Sequence, residues 1–236
     1  MDKELRRIQL SVLQAFAVSP GGFALAGGTA LELFYLHHRF SADLDFFSMD
    51  YSPGKIDKIV KNIEKAGEGK IKFESEIELP DRAKARFYSF AVKGAARNLK
   101  IDFVEETLIK KPGIRCFTGI PVYDARDIYY QKISAISGTS ERKDEFGRDI
   151  QSGRNQPRDV FDVYSLSRKI MPLSLFLTKL PAGMQRRIVH WYRNFSRQDL
   201  KLGLLDMDIY DRSFDAREMV TYIEKEIKDF IAKVAE

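Results

Sequence analysis

The stretch Leu25-Ala26-Gly27-Gly28-Thr29-Ala30-Leu31 is followed, after a short amphipathic segment, by the triplet Asp43-Leu44-Asp45. Glycine adopts backbone angles that other residues resist, and it lets main-chain N–H groups approach an anion closely. If Phe40 to Phe47 forms a strand, the two aspartates share one face and the leucine turns into the core. Paired carboxylates suit Mg²⁺, which takes few protein oxygens and completes its shell with substrate phosphates. The pattern predicts nucleotidyl transfer, with a triphosphate at Gly27, Gly28 and Thr29 and a metal ion at Asp43 and Asp45.

Simpler explanations of these residues stay open. Thr29-Ala30-Leu31-Glu32 has the form of a capping box, in which the Thr hydroxyl and the Glu carboxylate satisfy backbone N–H groups at the start of a helix. A lone Asp-x-Asp is common in turns and at solvated strand ends. The order of the signals along the chain favours the functional interpretation. Arg39 and Ser41, just before the acidic pair, either hold phosphate, orient Asp43 or are local structure only.

These residues resemble the first motif of a known family. The stretch Gly27 to Leu31, followed by His38-Arg39-Phe40-Ser41-Ala42-Asp43-Leu44-Asp45-Phe46-Phe47, is similar to that motif in the AbiEii/AbiGii toxins. That family consists of nucleotidyltransferase-like proteins of abortive-infection and type IV toxin–antitoxin systems. Three further stretches are similar to its later motifs, in the same order: Leu99–Val104, Asp127–Ile136 and Arg158–Leu166. The resemblance covers most of the chain except the C-terminal helices.

The resemblance implies an enzyme that uses one or two Mg²⁺ ions to transfer a nucleotide from an NTP. In characterised relatives the acceptor is the 3′ end of tRNA, and an antitoxin encoded nearby restrains the toxin. Nucleotidyltransferases of this wider fold complete the metal site with a third carboxylate on a neighbouring strand, and Asp102 is the residue expected here. The expected catalytic carboxylates on strands are therefore Asp43, Asp45 and Asp102. An edge-strand aspartate that points to water is the other explanation of Asp102.

Lys132 lies on or beside the buried face of a predicted helix, where its ammonium needs an anionic partner unless the side chain extends to solvent. Phosphate oxygens of a substrate supply such a partner. The resemblance places Asp159 in the active site, where it either fixes Lys132 or positions the acceptor hydroxyl. Asp162 is a neighbour of Asp159 on the same helix surface, and a structural role through Arg158 or Arg168 is the expectation for it.

Composition favours a soluble enzyme with an anionic partner. The chain has 236 residues, of which 44% are hydrophobic, so it can bury a substantial core. No apolar run is long enough to span a membrane and the N-terminal segment is charged, so we expect a cytoplasmic protein without a membrane partner. Basic residues number 39 and acidic residues 34, which favours RNA as the partner. Two basic groups near aromatic residues either track phosphates or are solvated faces: Arg82, Lys84, Arg86, Lys93, Arg97 and Lys100, and Arg186, Arg187, Arg193, Arg197 and Lys201.

Cysteine and histidine usage gives no sign of a metal centre built from these residues. The single cysteine, Cys116, sits beside Phe117 and is interpreted as a thiol packed in the core. His37 and His38 are adjacent on a predicted helix and therefore face different ways, so no zinc site is expected.

Periodicity and the resemblance together predict an α+β fold of the nucleotidyltransferase type, related to polymerase beta. Residues 1–125 are expected to form a mixed sheet with helices, and residues 126–236 a helical lobe that contributes Lys132 and Asp159 to the cleft. Apolar spacing predicts helices over residues 4–18, 56–66, 124–136, 157–168 and 216–234, and strands over 71–79, 87–92 and 101–104. The polar stretch from Gly138 to Gln156 is expected to be an irregular, mobile insert.

Two other functions remain open at this point. One is an enzyme with the same donor chemistry and a protein or small-molecule acceptor. The other is a non-catalytic module of the same fold that binds a nucleotide or RNA. Intact Asp43, Asp45, Thr29 and Lys132 argue against the second, because a decayed site loses a metal ligand early.

Overall fold

A computed structural model describes residues 2–66, 69–79, 82–138, 142–143, 149–150 and 153–235. The chain packs as two compact units. The first unit consists of residues 1–35 and 40–127, and the second of residues 36–39 and 128–236. The insert expected over residues 138–156 falls largely outside the described residues, which omit 139–141, 144–148 and 151–152.

The first unit is built on a seven-stranded mixed sheet, which confirms the predicted mixed sheet with helices. The strands stand in the order β3-β4-β5-β2-β1-β7-β6. Strand β2 pairs parallel with β5, and β1 parallel with β7, whereas the other neighbours are antiparallel. The strands are β1 (Ala24–Ala26), β2 (Leu44–Ser48), β3 (Ile71–Ile77), β4 (Ala85–Phe90), β5 (Leu99–Glu105), β6 (Ile114–Phe117) and β7 (Ile120–Tyr123).

Helices accompany this sheet and form most of the second unit. A two-stranded ribbon pairs β8 (Arg142–Lys143) with β9 (Asp149–Ile150). The helices are α1 (Lys3–Val18), α2 (Gly27–Ala30), which continues as a π-helical turn over Leu31–Leu36, α3 (Pro53–Ala66), α4 (Ala125–Ser137), α5 (Pro157–Lys169), α6 (Leu173–Leu177), α7 (Ala182–Asn194), α8 (Arg197–Leu205) and α9 (Ala216–Ala235). Within the described residues, none of these helices is long and apolar enough to cross a membrane.

Aromatic rings fill the core of the first unit on one side of the central strands. Phe16 of α1 packs against Phe46 of β2, with ring centroids 4.1 Å apart. Phe46 stacks on Phe103 of β5 at 5.3 Å, and Phe23 meets Phe103 edge-on at the same distance. Because these rings are almost completely buried, they fix which face of β2 and β5 turns inward.

The second unit has a core of its own. Tyr129 of α4 stacks on Phe176 of α6 at 4.0 Å, with ring planes 12° apart. The backbone N–H of Ser174, at the start of α6, donates to the buried carboxylate of Glu226 on α9 at 2.8 Å. Helix α5 is buried along most of its length, so its side chains hold the helices of this unit together.

The structure corrects two expectations about local environment. Cys116 is exposed, so the prediction of a packed thiol is wrong. It lies on β6, at the edge of the sheet, where its neighbour Ile114 is also 49% exposed. The helix expected to carry His37 and His38 ends at Leu36, and His37 has a positive φ of 47°.

Strand prediction from alternation was correct for some strands and failed for others. Ile71 to Ile77 does form β3, but both of its faces are largely exposed because it is an edge strand. Strand β2 begins at Leu44 rather than at Phe40. Strands β1, β6 and β7, which the sequence did not reveal, have three or four residues each, too few for alternation to be recognised.

Replacing Phe103 tests this assignment of the core. We expect Phe103→Ala to lower the free energy of unfolding by about 3–5 kcal/mol, because it leaves a cavity among buried rings. Phe73→Ala, at a side chain that is 50% exposed on β3, is the control and is expected to cost less than about 1 kcal/mol. Urea unfolding of the two variants measures both values, and equal losses would contradict the placement of Phe103.

Candidate active site

Two predicted carboxylates lie side by side on the central strands. In the parallel pairing of β2 with β5, Asp45 is in register with Asp102 and Phe46 with Phe103. Successive side chains of a strand point to opposite faces, so the aspartates share the face opposite the buried phenylalanines. Both aspartates are half-buried. Asp102 in the middle of β5 therefore avoids the face that carries the buried rings. Strand β5 is an interior strand, so the alternative of an edge-strand aspartate is wrong.

Asp43 directly precedes β2 and follows the same alternation. It is half-buried like Asp45, whereas Leu44 between them is fully buried. The expected division, with acids on one side and leucine in the core, is thus present although the strand starts later than predicted.

Gly27 lies against the carboxylate of Asp45. Its φ is +69°, a left-handed conformation that favours glycine. A Cβ atom built at this position would collide with the carboxylate of Asp45. The glycine is required both by the backbone angle and by the close approach of the acid.

Thr29 fixes the segment that leads to the acids. It is completely buried, and its hydroxyl donates to the backbone carbonyl of Asp43. The side-chain amide of Gln9 donates to the Thr29 hydroxyl at 3.3 Å and to the carbonyl of Ser41 at 3.0 Å. The capping box does not form, because Thr29 lies inside α2 and Ala26 is the N-cap residue.

Glu32, the other member of the expected capping box, also binds this segment. Its carboxylate accepts a hydrogen bond from the backbone N–H of Ser41 at 2.8 Å and forms an ion pair with Arg6. Ser41 is thus held through its backbone on both sides, by Glu32 at its N–H and by Gln9 at its carbonyl.

The strand-borne acids suit a hard divalent cation. Within the described residues, no three His, Cys, Asp or Glu side chains form a group that can hold a metal ion. Mg²⁺ is usually bound through only one or two carboxylates plus substrate phosphates. The pair Asp45 and Asp102 offers that donor set, and the predicted metal ligands Asp43, Asp45 and Asp102 stay a prediction.

Lys132 lies in a buried cluster of charges in the second unit. Its ammonium donates to Asp159 Oδ1 at 2.7 Å and lies 2.8 Å from Asp162 Oδ2. The side chains of Asp159 and Asp162 are 1% and 0% exposed. Of the two roles open to Asp159 from the sequence, the structure shows the pairing with Lys132.

Among the described residues three side chains bind Asp162, in place of the expected Arg158 or Arg168. Arg39 donates through Nε to Oδ1 and through Nη2 to Oδ2, both at 2.7 Å. His38 Nε2 lies 2.8 Å from Oδ1. Together with Lys132, these contacts match the four lone-pair positions of a carboxylate. The predicted phosphate ligand Arg39 is therefore held by a buried carboxylate.

Burial and neighbouring charges oppose each other in this cluster. Burial raises the pKa of Asp162, but Arg39 and Lys132 outweigh it and hold that pKa well below its ordinary value. Burial lowers the pKa of Lys132, but Asp162 and Asp159 outweigh it and hold that pKa above its ordinary value. For His38 burial prevails over the carboxylate and lowers the pKa. Asp162 and Lys132 are consequently charged at neutral pH and His38 is neutral.

One oxygen of Asp159 has no hydrogen-bond donor. Oδ2 is buried, and within the described residues no group donates to it. The guanidinium of Arg154 lies 3.2 Å away, but its orientation does not satisfy a hydrogen bond. Asp159 thus holds Lys132 through Oδ1 and has an acceptor to spare at Oδ2.

The basic groups that suggested RNA binding are partly neutralised. Arg86 pairs with Glu76 at 2.8 Å and with Asp57 at 3.0 Å. In the second group Arg197 pairs with Glu224 at 2.6 Å. These side chains therefore contribute less positive potential than the sequence suggested.

Sequence reasoning missed Gln9, His38 and the true partners of Asp162. Gln9 lies on the buried face of α1, and a polar residue at an apolar position of an amphipathic helix was the available signal. No comparable signal marks His38, whose carboxylate partner is 124 positions away in the chain.

Comparison with known proteins gives both a family and a fold. The family model described as "Nucleotidyl transferase AbiEii toxin, Type IV TA system" matches residues 11–234. No curated protein matches. Among solved structures, JHP933 from Helicobacter pylori is 16% identical with a TM-score of 0.57, over 98% of this chain and 93% of that chain. A "putative nucleotidyltransferase from H. pylori" is 17% identical with the same TM-score, over 97% and 95%. At this identity the likeness concerns the fold.

Gly27→Ala tests the contact between the glycine turn and Asp45. Gly94, with a φ of +84° and no described atom within 4 Å of an added Cβ, is the matched control. Gly94→Ala carries only backbone strain, about 1–2 kcal/mol. Gly27→Ala adds an overpacking cost of about 1–3 kcal/mol. Urea unfolding compares the two variants, and identical losses of unfolding free energy would show that Asp45 does not contact Gly27 closely.

Asp162→Asn tests the buried cluster. We expect it to lower the free energy of unfolding by about 3–5 kcal/mol, because buried cations lose their counter-charge. The control is Asp50→Asn, which removes an ion pair with Lys55 at a side chain that is 76% exposed and is expected to cost less than about 1 kcal/mol.

The pH dependence of the same variant has a definite sign. Because the folded-state pKa of Asp162 is below its ordinary value of 3.8, its contribution to stability is complete above that pH and is lost as the pH falls through the folded-state pKa. The gap in unfolding free energy between wild type and Asp162→Asn should therefore narrow in acid below this value. A gap that stays constant there would be inconsistent with an ionised, depressed Asp162.

Proposed function

The chain belongs to the AbiEii family of nucleotidyl transferase toxins of type IV toxin–antitoxin systems, and we propose that it transfers a nucleoside monophosphate from an NTP to the 3′ end of tRNA. The observation that carries this proposal is the register of β2 and β5, which sets Asp45 beside Asp102. Two carboxylates on adjacent central strands are a donor set suited to a magnesium–triphosphate complex.

The strand residues bind and orient the donor in this proposal. Asp43, Asp45 and Asp102 would hold Mg²⁺, which when bound neutralises charge on the reacting phosphoryl group and on its leaving group. Gly27 and Gly28 let the backbone approach the triphosphate closely. Thr29 acts through its hydrogen bond to the carbonyl of Asp43, which fixes the acid-bearing segment.

Lys132 and Asp159 serve the same reaction in this proposal. Within the described residues the ammonium of Lys132 contacts two carboxylates, so one of its three N–H donors remains for a phosphate oxygen. Its charge offsets the charge that builds up on the leaving pyrophosphate. Asp159 acts in this proposal through its ion pair with Lys132, which holds the ammonium in place. Arg39 and Ser41 contribute indirectly. Arg39 binds Asp162, a partner of Lys132, and the backbone N–H of Ser41 binds Glu32, which fixes the segment that leads to Asp43.

We also propose the acceptor and the protein partner. A net charge of +5 suits an RNA acceptor, and the 3′ end of tRNA presents the hydroxyl that the reaction consumes. The family implies a cognate antitoxin, which we propose is encoded beside this chain.

Labelled nucleotide transfer tests the proposal. The purified protein is incubated with Mg²⁺, total tRNA and each of the four α-³²P-labelled NTPs in turn. We expect label on tRNA with at least one NTP, and loss of that label when EDTA removes the metal. Asp45→Asn should lower the rate by about 10²–10³-fold, because a lost ligand removes several kcal/mol of charge stabilisation.

Two controls separate chemistry from folding. Asp50→Asn replaces an exposed aspartate and should leave the rate unchanged. Thermal unfolding of Asp45→Asn shows whether that variant remains folded. Label on a protein band but not on RNA would replace tRNA with a protein acceptor. Absence of label on any acceptor with the folded wild-type protein would reject transferase activity in favour of a binding module.

A further inference from the structure

The sheet face that carries Asp45 and Asp102 also carries a phenylalanine that the proposed reaction does not yet use. Strand β4 pairs antiparallel with β5, and Phe87 is in register with Asp102. Directly opposite residues of neighbouring strands share a face, with Cβ atoms about 4.5–5.5 Å apart. Phe87 therefore lies beside Asp102, on the side of β5 away from Asp45.

The two chain neighbours of Phe87 show which way its ring points. Tyr88 meets the buried ring of Phe103 edge-on at 5.9 Å, and Arg86 pairs with a carboxylate of α3 at 3.0 Å. Both neighbours thus lie on the face that the core and α3 cover. Alternation then turns Phe87 to the opposite face, which it shares with Asp102.

Part of the Phe87 ring is available to a ligand. The side chain is half-buried, and no described aromatic ring packs against it. Phe47, on the same face, is already in contact with Tyr123 at 6.1 Å. A single partly exposed phenylalanine is ordinary on a protein surface. The register of this one with a carboxylate of the candidate site is what distinguishes it.

A cation stands on the same face. Lys100 precedes Asp102 by two residues on β5 and therefore points to the same side. Its side chain is exposed, and within the described residues its ammonium forms no ion pair. An ammonium in this position suits a phosphate group of a ligand that lies on Phe87.

The strand order fixes on which side of the acids this surface lies. Across strands β4, β5, β2 and β1 the sheet presents, in this order, Phe87, Asp102, Asp45 and the turn at Gly27. In the proposed function the triphosphate occupies the turn at Gly27. The attacking and leaving oxygens of a phosphoryl transfer lie roughly in line, so the attacking hydroxyl approaches from the side opposite that turn. That side is the one on which Phe87 lies.

We propose that Phe87 is the stacking surface for the terminal base of the RNA acceptor, and that Lys100 binds a phosphate of the same RNA end. The inference rests on the proposed function and adds an acceptor subsite to it. Neighbouring strands stand about 4.7–4.9 Å apart, so Phe87 is one strand spacing from Asp102, a distance that a single nucleoside spans. Unpaired RNA ends are commonly held by stacking on aromatic side chains. Because every base has a π-face, this subsite accepts different terminal bases.

Fluorescence of 2-aminopurine at the 3′ end of a single-stranded RNA tests the contact without catalysis. Stacking quenches the emission of this base, and EDTA without NTP prevents transfer. We expect the full wild-type chain to quench the emission. Phe87→Ala should abolish the quenching and weaken binding about tenfold. Phe87→Tyr, which keeps a π-face, should retain both, whereas Phe87→Leu, which keeps only apolar volume, should behave like Phe87→Ala.

The sheet offers a matched control for the ring. Phe73 of β3 is also partly exposed, but its ring meets Tyr88 on the opposite face. Phe73→Ala should leave quenching and affinity unchanged. Thermal unfolding shows whether each variant remains folded. An RNA that carries 2-aminopurine at its 5′ end should not distinguish Phe87→Ala from wild type by quenching.

Salt dependence tests the part assigned to Lys100. Lys100→Gln should weaken RNA binding and reduce the slope of log K against log salt concentration by about 0.7, the value for one contact with a single-stranded phosphate. Lys58→Gln, at an exposed lysine of α3, should change neither. An unchanged slope in Lys100→Gln would overturn the assignment of this lysine.

Steady-state transfer separates this subsite from the donor site. Phe87→Ala should raise the KM for tRNA about tenfold and leave the KM for the NTP unchanged. A higher KM for the NTP alone would place the ring under the donor base and overturn the proposal, as would full quenching by Phe87→Ala. Transfer to tRNA with unchanged KM in Phe87→Ala would reject the subsite and leave the proposed function standing. Quenching that depends on Phe87 in a protein without transferase activity would reject the function and retain the subsite.

Discussion

The balance of charge around one buried carboxylate, that of Asp162, is the constraint on which the second unit depends. Removing an ion from water costs several kcal/mol, so buried charges persist only when they are paired and hydrogen-bonded. Arg39 and Lys132 compensate Asp162 and Asp159. Arg39 belongs to residues 36–39, Lys132 to α4 and Asp162 to α5. A single electrostatic requirement thus fixes three separated pieces of chain, and it holds the ammonium of Lys132 in one orientation.

In the first unit the hydrophobic core determines where the acids stand. Phe46 and Phe103 must face inward, and alternation then places Asp45 and Asp102 together on the other face. A slip of one residue between β2 and β5 would put an acid opposite a buried ring, at a large desolvation cost. Two like charges in register repel each other, and in the proposed reaction a bound Mg²⁺ would offset that repulsion. The core thus determines that these two carboxylates stand side by side.

The sequence predicted what depends on local pattern and failed where the cause lies far away in the chain. Helices α1, α5 and α9 have strong apolar periodicity, and their predicted limits agree with the structure to within a few residues. The turn at Gly27 and the alternation at Leu44 were also predicted, because each depends only on residues that are close in sequence. The partner of Asp162 was not, because Arg39 is 123 positions away and two nearer arginines were equally plausible from spacing. Cys116 was misjudged because its apolar neighbours lie on an exposed edge strand, where composition does not imply burial.

In the proposed reaction, the same compensation limits how Lys132 acts on a substrate. Because Asp159 and Asp162 offset the charges of Lys132 and Arg39, the cluster has little net charge and exerts little attraction on an NTP at long range. Contacts with the described residues leave Lys132 one directional N–H donor, which acts only when a phosphate oxygen is already within hydrogen-bond distance. Such a donor contributes little to the first encounter with the nucleotide. It contributes most in the late, charge-separated state, where charge accumulates on the leaving group, and it therefore stabilises that state selectively. Weakening of Asp162 would therefore affect the chemical step through the orientation of Lys132 more than the initial binding of the nucleotide.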